Sequence, residues 1–155
     1  MIQFLGNIEA KIDAKARIFV PAVFRKILQS SGENTLILRK DIFQDCLVLY
    51  PLQVWEEEVA KLRSRLNRWN KEQQAVFRQF VVDVERLEMD ANGRILIPKR
   101  YCQMVGISTD VRFLGVDSTI EIWAKESLEK SLIPANDFSE RIQALMNNDI
   151  QNDQL

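Results

Sequence analysis

The chain has 155 residues, 46% of them hydrophobic, and a formal net charge of −1. Its size and apolar content are typical of a folded domain and exclude a disordered chain, and its near-neutral charge excludes a protein that coats polyanions over its whole surface. It has no histidine, no glycine-rich phosphate-binding loop and no closely spaced cysteine pair. These features predict that the protein is not an enzyme and needs no metal or cofactor.

The cellular location is predicted from hydropathy and cysteine usage. The apolar runs are shorter than the roughly 20 residues that cross a bilayer. Cys46 and Cys102 are far apart in the chain, a spacing typical of reduced thiols rather than of a disulfide framework. We therefore predict a cytoplasmic protein with no membrane partner.

The first fifty residues have the pattern of short strands around a short helix. The residues between Asp13 and Arg17 suit a tight turn, so the strands on either side of them are predicted to form a hairpin. Pro21 can open the helix because its fixed φ suits the first helical position and its missing N–H needs no partner there. Strands are predicted over residues 8–12, 18–20, 35–38 and 46–50, and the helix over 22–29.

Two helices are predicted in the middle of the chain. The first follows Pro51 and has one apolar stripe at spacings of three and four residues. The second begins after Asn70, which with Gln73 resembles a helix cap. Residues 61–78 between and within these helices have a charge balance of +5, which on composition alone is typical of a solvated face. The stripe consists of Leu52, Trp55, Val59, Leu62 and Leu66.

Residues 90–102 repeat the pattern of residues 13–25: an acid, a short turn, an arginine, three apolar strand-formers and a proline. The same elements are then predicted to follow, as strands over 84–89, 95–97, 111–114 and 119–123, a helix from Pro98 to near Gly106, and a helix over 125–132. A further helix is predicted over 138–146, and the last residues are predicted to be loose. Three pairs of like residues are each 77 positions apart: Asp13 and Asp90, Arg17 and Arg94, and Pro21 and Pro98.

This internal repeat predicts an α+β fold of two tandem ββ-helix-ββ units. Neither unit has enough strands to bury a core alone, so we expect the two to pair about a pseudo-twofold axis with both turns on the outside. The predicted divisions are a first repeat at 1–50, a linking helical hairpin at 51–82, a second repeat at 83–132 and an acidic tail at 133–155.

The twin turns have two interpretations. Each aspartate and arginine can form an exposed ion pair that fixes the turn and does nothing more. Alternatively, the aspartate orders the turn while the arginine presents its planar donors to phosphates or to a guanine edge. Residues 1–30 have a charge balance of +3, whereas residues 79–105 are balanced, so the functional interpretation is stronger for the first turn.

These residues resemble the MraZ family of the AbrB-like swapped-hairpin superfamily. The resemblance covers residues 1–132 and includes both turns, the segment at 47–51, Trp55 and the helical hairpin. It implies an AbrB-like β-barrel formed by the two repeats of one chain and a homo-oligomeric ring of chains. It also implies transcriptional regulation through double-stranded DNA, at short promoter repeats upstream of the bacterial division and cell-wall gene cluster, with a nucleoid-associated location.

The resemblance also assigns candidate DNA-binding residues. Arg17 is the leading contact, with Asp13 as its turn partner, Lys15 as a phosphate contact, and Arg94 with Asp90 as the second-copy equivalents. Arg25 adds a further cation at the end of the first copy. Two of the differences between the copies bear on these roles: Ala16 stands where the second copy has Gly93, and Cys102 stands where the first has Arg25.

Two other functions remain open on the sequence. An AbrB-like protein-interaction module would use the same turns to bind a protein partner. An enzyme that uses carboxylates alone is a third hypothesis, although scattered acids are typical of solvated surface when 28% of residues are charged.

Overall fold

The computed structural model describes residues 3–153, with side chains up to residue 148, and this part of the chain contains eight strands and six helices. The strands are β1 (Phe4–Lys11), β2 (Arg17–Phe19), β3 (Thr35–Lys40), β4 (Leu47–Pro51), β5 (Val84–Glu88), β6 (Arg94–Leu96), β7 (Asp110–Asp117) and β8 (Thr119–Ala124). The helices are α1 (Ala22–Ser30), α2 (Leu52–Ser64), α3 (Lys71–Val82), α4 (Lys99–Val105), α5 (Lys125–Ser131) and α6 (Ala135–Asp153).

The helix boundaries follow the predicted signals. Pro21, Pro51 and Pro98 each immediately precede a helix, as expected from the fixed φ of proline. Asn70 caps α3 by accepting the backbone N–H three residues on at 3.1 Å. Gly106 ends α4 in the left-handed conformation, at φ 72°. Helix α6 has 19 residues and extends beyond the predicted 138–146 at both ends. The last residues of the chain, which were predicted to be loose, include residues 154–155, and these two lie outside the described residues.

Six strands form one antiparallel sheet in the order β1-β7-β8-β4-β3-β5. The order is symmetric about its centre, because β1, β7 and β8 of one side correspond to β5, β3 and β4 of the other. Strands β2 and β6 form a separate antiparallel ribbon, with Ile18 opposite Ile95. The predicted α+β fold of two repeats is confirmed, and the repeats pair with each other in both the sheet and the ribbon.

The predicted hairpins are wrong in their strand pairing. The turn after β1 forms, but β1 pairs with β7 and β2 pairs with β6; likewise β5 pairs with β3. Strand β1 has eight residues and β2 has three, so pairing these two would leave most backbone groups of β1 without partners. The eight-residue strand β7 satisfies them instead.

The predicted barrel is not closed by hydrogen bonds. Among the described residues, β1 and β5 are the edges of the six-stranded sheet and do not pair with each other. The architecture is therefore α+β, with an open antiparallel sheet and a two-stranded ribbon contributed equally by the two repeats.

The core lies between the sheet, the ribbon, α1 and α4. Ile18 and Ile95 are each 1% exposed, and the rings of Phe4 and Phe24 meet edge to face with centroids 5.6 Å apart. A smaller cluster contains Cys46, Trp123 and Leu128. None of the helices described within residues 3–153 is long and apolar enough to cross a membrane.

Candidate nucleic-acid interface

The first turn, residues 13–17, is organised by the carboxylate of Asp13. Its Oδ1 accepts hydrogen bonds from the backbone N–H groups of Lys15 and Arg17, each at 2.9 Å. Its Oδ2 accepts from Nε of Arg17 at 3.0 Å. The Asp13 N–H donates to the Arg17 carbonyl at 2.9 Å and closes the turn. The Asp13 side chain therefore fixes both the backbone of the turn and the Nε end of the Arg17 guanidinium group.

The second turn, residues 90–94, has the same set of bonds. Asp90 Oδ1 accepts from the N–H groups of Asn92 and Arg94 at 2.9 Å, and Oδ2 accepts from Nε of Arg94, also at 2.9 Å. The Asp90 N–H donates to the Arg94 carbonyl at 2.8 Å. The repeated sequence therefore forms a repeated geometry.

Both aspartates are held in the ionised form. The backbone N–H of Arg17 is the largest cause that lowers the pKa of Asp13, and the backbone N–H of Arg94 does the same for Asp90. The side-chain bonds from the two arginines lower each pKa further. Hydrogen bonds to a carboxylate favour its charged form, so both aspartates accept these bonds as carboxylates at neutral pH.

The ribbon places both arginines on its outer face. Ile18 and Ile95 point into the core, and alternation along β2 and β6 puts Arg17, Phe19, Arg94 and Leu96 on the opposite side. Arg17 lies opposite Leu96 and Arg94 opposite Phe19, so the two arginines are offset by two residues, roughly 7 Å along the ribbon. Phe19 and Leu96 are 55% and 54% exposed.

Each aspartate binds only the Nε atom of its arginine and so orients the guanidinium group without occupying its Nη atoms. Among the side chains described, up to residue 148, no acceptor is hydrogen-bonded to the Nη groups of Arg17 or Arg94. The Arg94 guanidinium also lies 5.8 Å from the centre of the Phe19 ring. This arrangement leaves two forks of donors for a phosphate or a base edge.

The other predicted site residues have different positions. Lys15 is exposed in the first turn, and its counterpart in the second turn is the uncharged Asn92. Arg25 lies on α1, and its Nη1 donates to the carbonyl oxygen of Asn92 at 3.2 Å. Five of the six predicted residues therefore lie in the two turns. The sixth, Arg25, lies on α1 and contacts the second turn.

Ala16 has a positive φ although it is not a glycine. Ala16 has φ 63° and its counterpart Gly93 has φ 83°. Both lie in the left-handed region, which costs roughly 1–2 kcal/mol for a residue with a Cβ. Sequence analysis missed Phe19 and Leu96, although their alternation with the buried Ile18 and Ile95 was the signal for an exposed face.

A family model described as "MraZ protein, putative antitoxin-like" matches residues 3–79 and again residues 82–147. The chain belongs to the MraZ family. The first match contains β1 to β4 and the second contains β5 to β8, so each includes one turn and half of the strands.

MraZ relatives match along nearly the whole chain. A protein named "Transcriptional regulator MraZ" from Bacteroides fragilis is 62% identical over 94% of this chain and 92% of its own length. Proteins of the same name from Bacteroides thetaiotaomicron and Phocaeicola vulgatus are 56% and 55% identical, covering 99% and 97% of this chain and 98% and 99% of their own lengths.

Proposed function

We propose that this MraZ protein is a transcriptional regulator that binds double-stranded DNA through its two Asp-x-x-x-Arg turns. The supporting observation is the pair of arginines, Arg17 and Arg94, on one face of the ribbon, each held through Nε by the aspartate of its own turn. The names of its relatives, "Transcriptional regulator MraZ", agree with this function.

The shape of the site fits a DNA groove. The major groove admits a two-stranded β-ribbon as well as a helix, and arginine binds the O6 and N7 acceptors of guanine with two donors. Arg17 and Arg94 supply the donors, Asp13 and Asp90 hold them in place, and Lys15 supplies a phosphate contact. The exposed apolar residues Phe19 and Leu96 flank the arginines and can contact thymine methyl groups.

A ring of chains at promoter repeats completes the proposal. One ribbon has few cationic contacts, so its binding to DNA is weak and decreases with salt. Several ribbons on one ring raise the effective concentration of each later contact once the first has formed. We propose that the bound sites are short repeats upstream of the division and cell-wall gene cluster, and that the repeats at 1–50 and 83–132 form the DNA-binding unit.

Binding of the full chain to DNA from upstream of its own gene, measured across a salt series, tests the proposed function. We expect Arg17→Ala to weaken binding by about 1–3 kcal/mol, the range for loss of a bidentate base contact. We expect a smaller loss for Arg94→Ala because the second turn lacks a counterpart of Lys15. Arg141→Ala, which removes an exposed cation from α6, is the matched control and should bind as the parent protein does.

The outcomes separate the alternative functions. Binding at low salt that falls steeply with salt and is weakened in the Arg17 variant supports the proposal. No binding to this DNA at low salt contradicts it and favours a protein-interaction module that uses the same turns.

The ring is tested separately from DNA contact. We expect the full chain to sediment as a discrete homo-oligomer and to bind a fragment with several promoter repeats far more tightly than a fragment with one. A monomer that binds both fragments equally per site would contradict the multivalent mechanism while leaving the DNA contacts of Arg17 in place.

A further inference from the structure

Each turn is supported by the opposite repeat. The carbonyl oxygen of Gly93, in the second turn, accepts a hydrogen bond from the N–H of Val20 at 3.0 Å. The carbonyl oxygen of Ala16, in the first turn, accepts from the N–H of Ile97 at 2.9 Å. The chain then continues from each of these donor residues through a proline into α1 or α4. Each turn is therefore hydrogen-bonded to the residue that precedes the proline of the opposite repeat.

Arg25 of α1 fits the second turn closely. Its Nη1 donates to the Asn92 carbonyl oxygen at 3.2 Å. A Cβ at Gly93 would lie only 2.3 Å from Nη1 and 2.5 Å from Cδ of Arg25. These distances are far below van der Waals contact, so the missing side chain of Gly93 leaves the space that Arg25 fills.

The first turn has the reverse combination. Ala16 has a Cβ at the equivalent position, and the residue equivalent to Arg25 is the much shorter Cys102. Both are buried in the main core, at 8% and 9% exposure. These two differences between the repeats therefore occur as pairs: glycine with arginine at the second turn, and alanine with cysteine at the first.

We propose that Arg25 is a positioning residue that holds the segment of Asn92 and Gly93 so that Arg94 is presented to DNA, an inference that rests on the DNA-binding function proposed above. Arg25 binds a backbone carbonyl two residues before Arg94 and occupies the space beneath the turn. Arg25 contributes to DNA affinity by positioning Arg94 and does not itself contact a phosphate.

The central experiment transplants the supporting pair of the first turn into the second. Arg25→Cys removes the hydrogen bond and empties the space, and Gly93→Ala forces a methyl group against Arg25. We expect each single variant to weaken binding of the promoter fragment several-fold and to speed hydrogen exchange at the amides of residues 92–94. We expect the double variant, Arg25→Cys with Gly93→Ala, to recover most of both properties.

Two comparisons separate positioning from direct contact. Lys26→Cys, which removes a neighbouring exposed cation of α1, controls for loss of charge and should leave amide exchange in the second turn unchanged. In an Arg94→Ala background, we expect Arg25→Cys to cause little further loss of DNA affinity. The slope of affinity against salt should stay the same in Arg25→Cys, whereas loss of a phosphate contact reduces it by about 1.

The proposal is overturned if the double variant binds DNA as weakly as Arg25→Cys alone, or if the losses from Arg25→Cys and Arg94→Ala simply add. It is also overturned if amide exchange at residues 92–94 is unaffected by Arg25→Cys. Because amide exchange is measured without DNA, the positioning role can be judged even if the promoter fragment does not bind.

Discussion

Ile18 lies directly opposite Ile95 in the antiparallel β2–β6 ribbon, although the two residues are 77 positions apart and hold the same place in the two repeats. Both are 1% exposed. This pair is the centre of the ribbon, and the aspartate turns lie at its opposite ends. One face of the β2–β6 ribbon therefore packs into the core, and the opposite face is the proposed DNA-binding face.

We expect Ile18→Ala and Ile95→Ala each to lower the free energy of unfolding by about 2–5 kcal/mol, because each leaves a cavity in the same buried layer. Since the side chains lie opposite each other, the double variant should depart from additivity by at least about 0.5 kcal/mol. Urea unfolding measures all three. Leu128→Ala, in the separate small cluster, is the control, and its loss of unfolding free energy should simply add to that of Ile18→Ala. If the losses from Ile18→Ala and Ile95→Ala were equally additive, the paired arrangement would be contradicted.

We expect a fragment of residues 1–50 to be unfolded as a monomer. Its strands β1, β2 and β3 have partners in the second repeat, namely β7, β6 and β5, and unpaired strand edges with half a core do not fold alone. Circular dichroism and amide shift dispersion at low concentration provide the measurement. A monomeric fragment that unfolds cooperatively would show that one repeat is an independent unit.

Acidification should loosen both turns. A carboxyl group whose pKa is lower in the folded than in the unfolded state contributes stability above its unfolded pKa, and this stability is lost as the pH falls through the folded pKa. For Asp13 and Asp90 the loss therefore begins near the ordinary value of 3.8 and is completed below it. The amide resonances of Arg17 and Arg94 should titrate with midpoints below that value.

Asp13→Asn provides the internal control for this titration. It should abolish the transition at Arg17 and leave the transition at Arg94 in place, since each arginine binds the aspartate of its own turn. A midpoint at Arg94 that moved with the Asp13 variant would show that the transition reports global unfolding.

Tyr101 should make the protein sensitive to alkali. Its ring is fully buried, and burial, together with the charge of Asp83, raises its pKa to about 12 from 10.0. The fold thus favours the neutral phenol, so this stability is present below pH 10.0 and is lost as the pH rises through about 12. Unfolding free energies of the parent and of Tyr101→Phe should converge over this range.

At neutral pH, Tyr101→Phe should cost about 1 kcal/mol, the usual net value of a hydrogen bond. The hydroxyl accepts from Arg100 at 3.0 Å and donates to Asp83 at 3.2 Å. Both measurements are cleanest in a Tyr50→Phe background, in which Tyr101 is the sole remaining tyrosine. A phenolate transition at pH 10 in the folded state would contradict the buried position.

Sequence analysis predicted the local elements well because their causes are local. Prolines before α1, α2 and α4 set the helix starts, Asn70 capped α3, and Asp13 and Asp90 organised their turns. The repeat at a constant spacing predicted the pseudo-twofold relation, and the resemblance to MraZ agrees with the family match.

The amino-acid sequence alone therefore determined the residues of the two turns, the order of the elements and the existence of two equivalent halves. Only the tertiary structure decided which strand pairs with which, because strand pairing depends on how many backbone groups and apolar side chains each partner satisfies across the whole chain. That choice left β2 to pair with β6, brought Arg17 and Arg94 onto one face, and placed Arg25 beneath the turn of the other repeat.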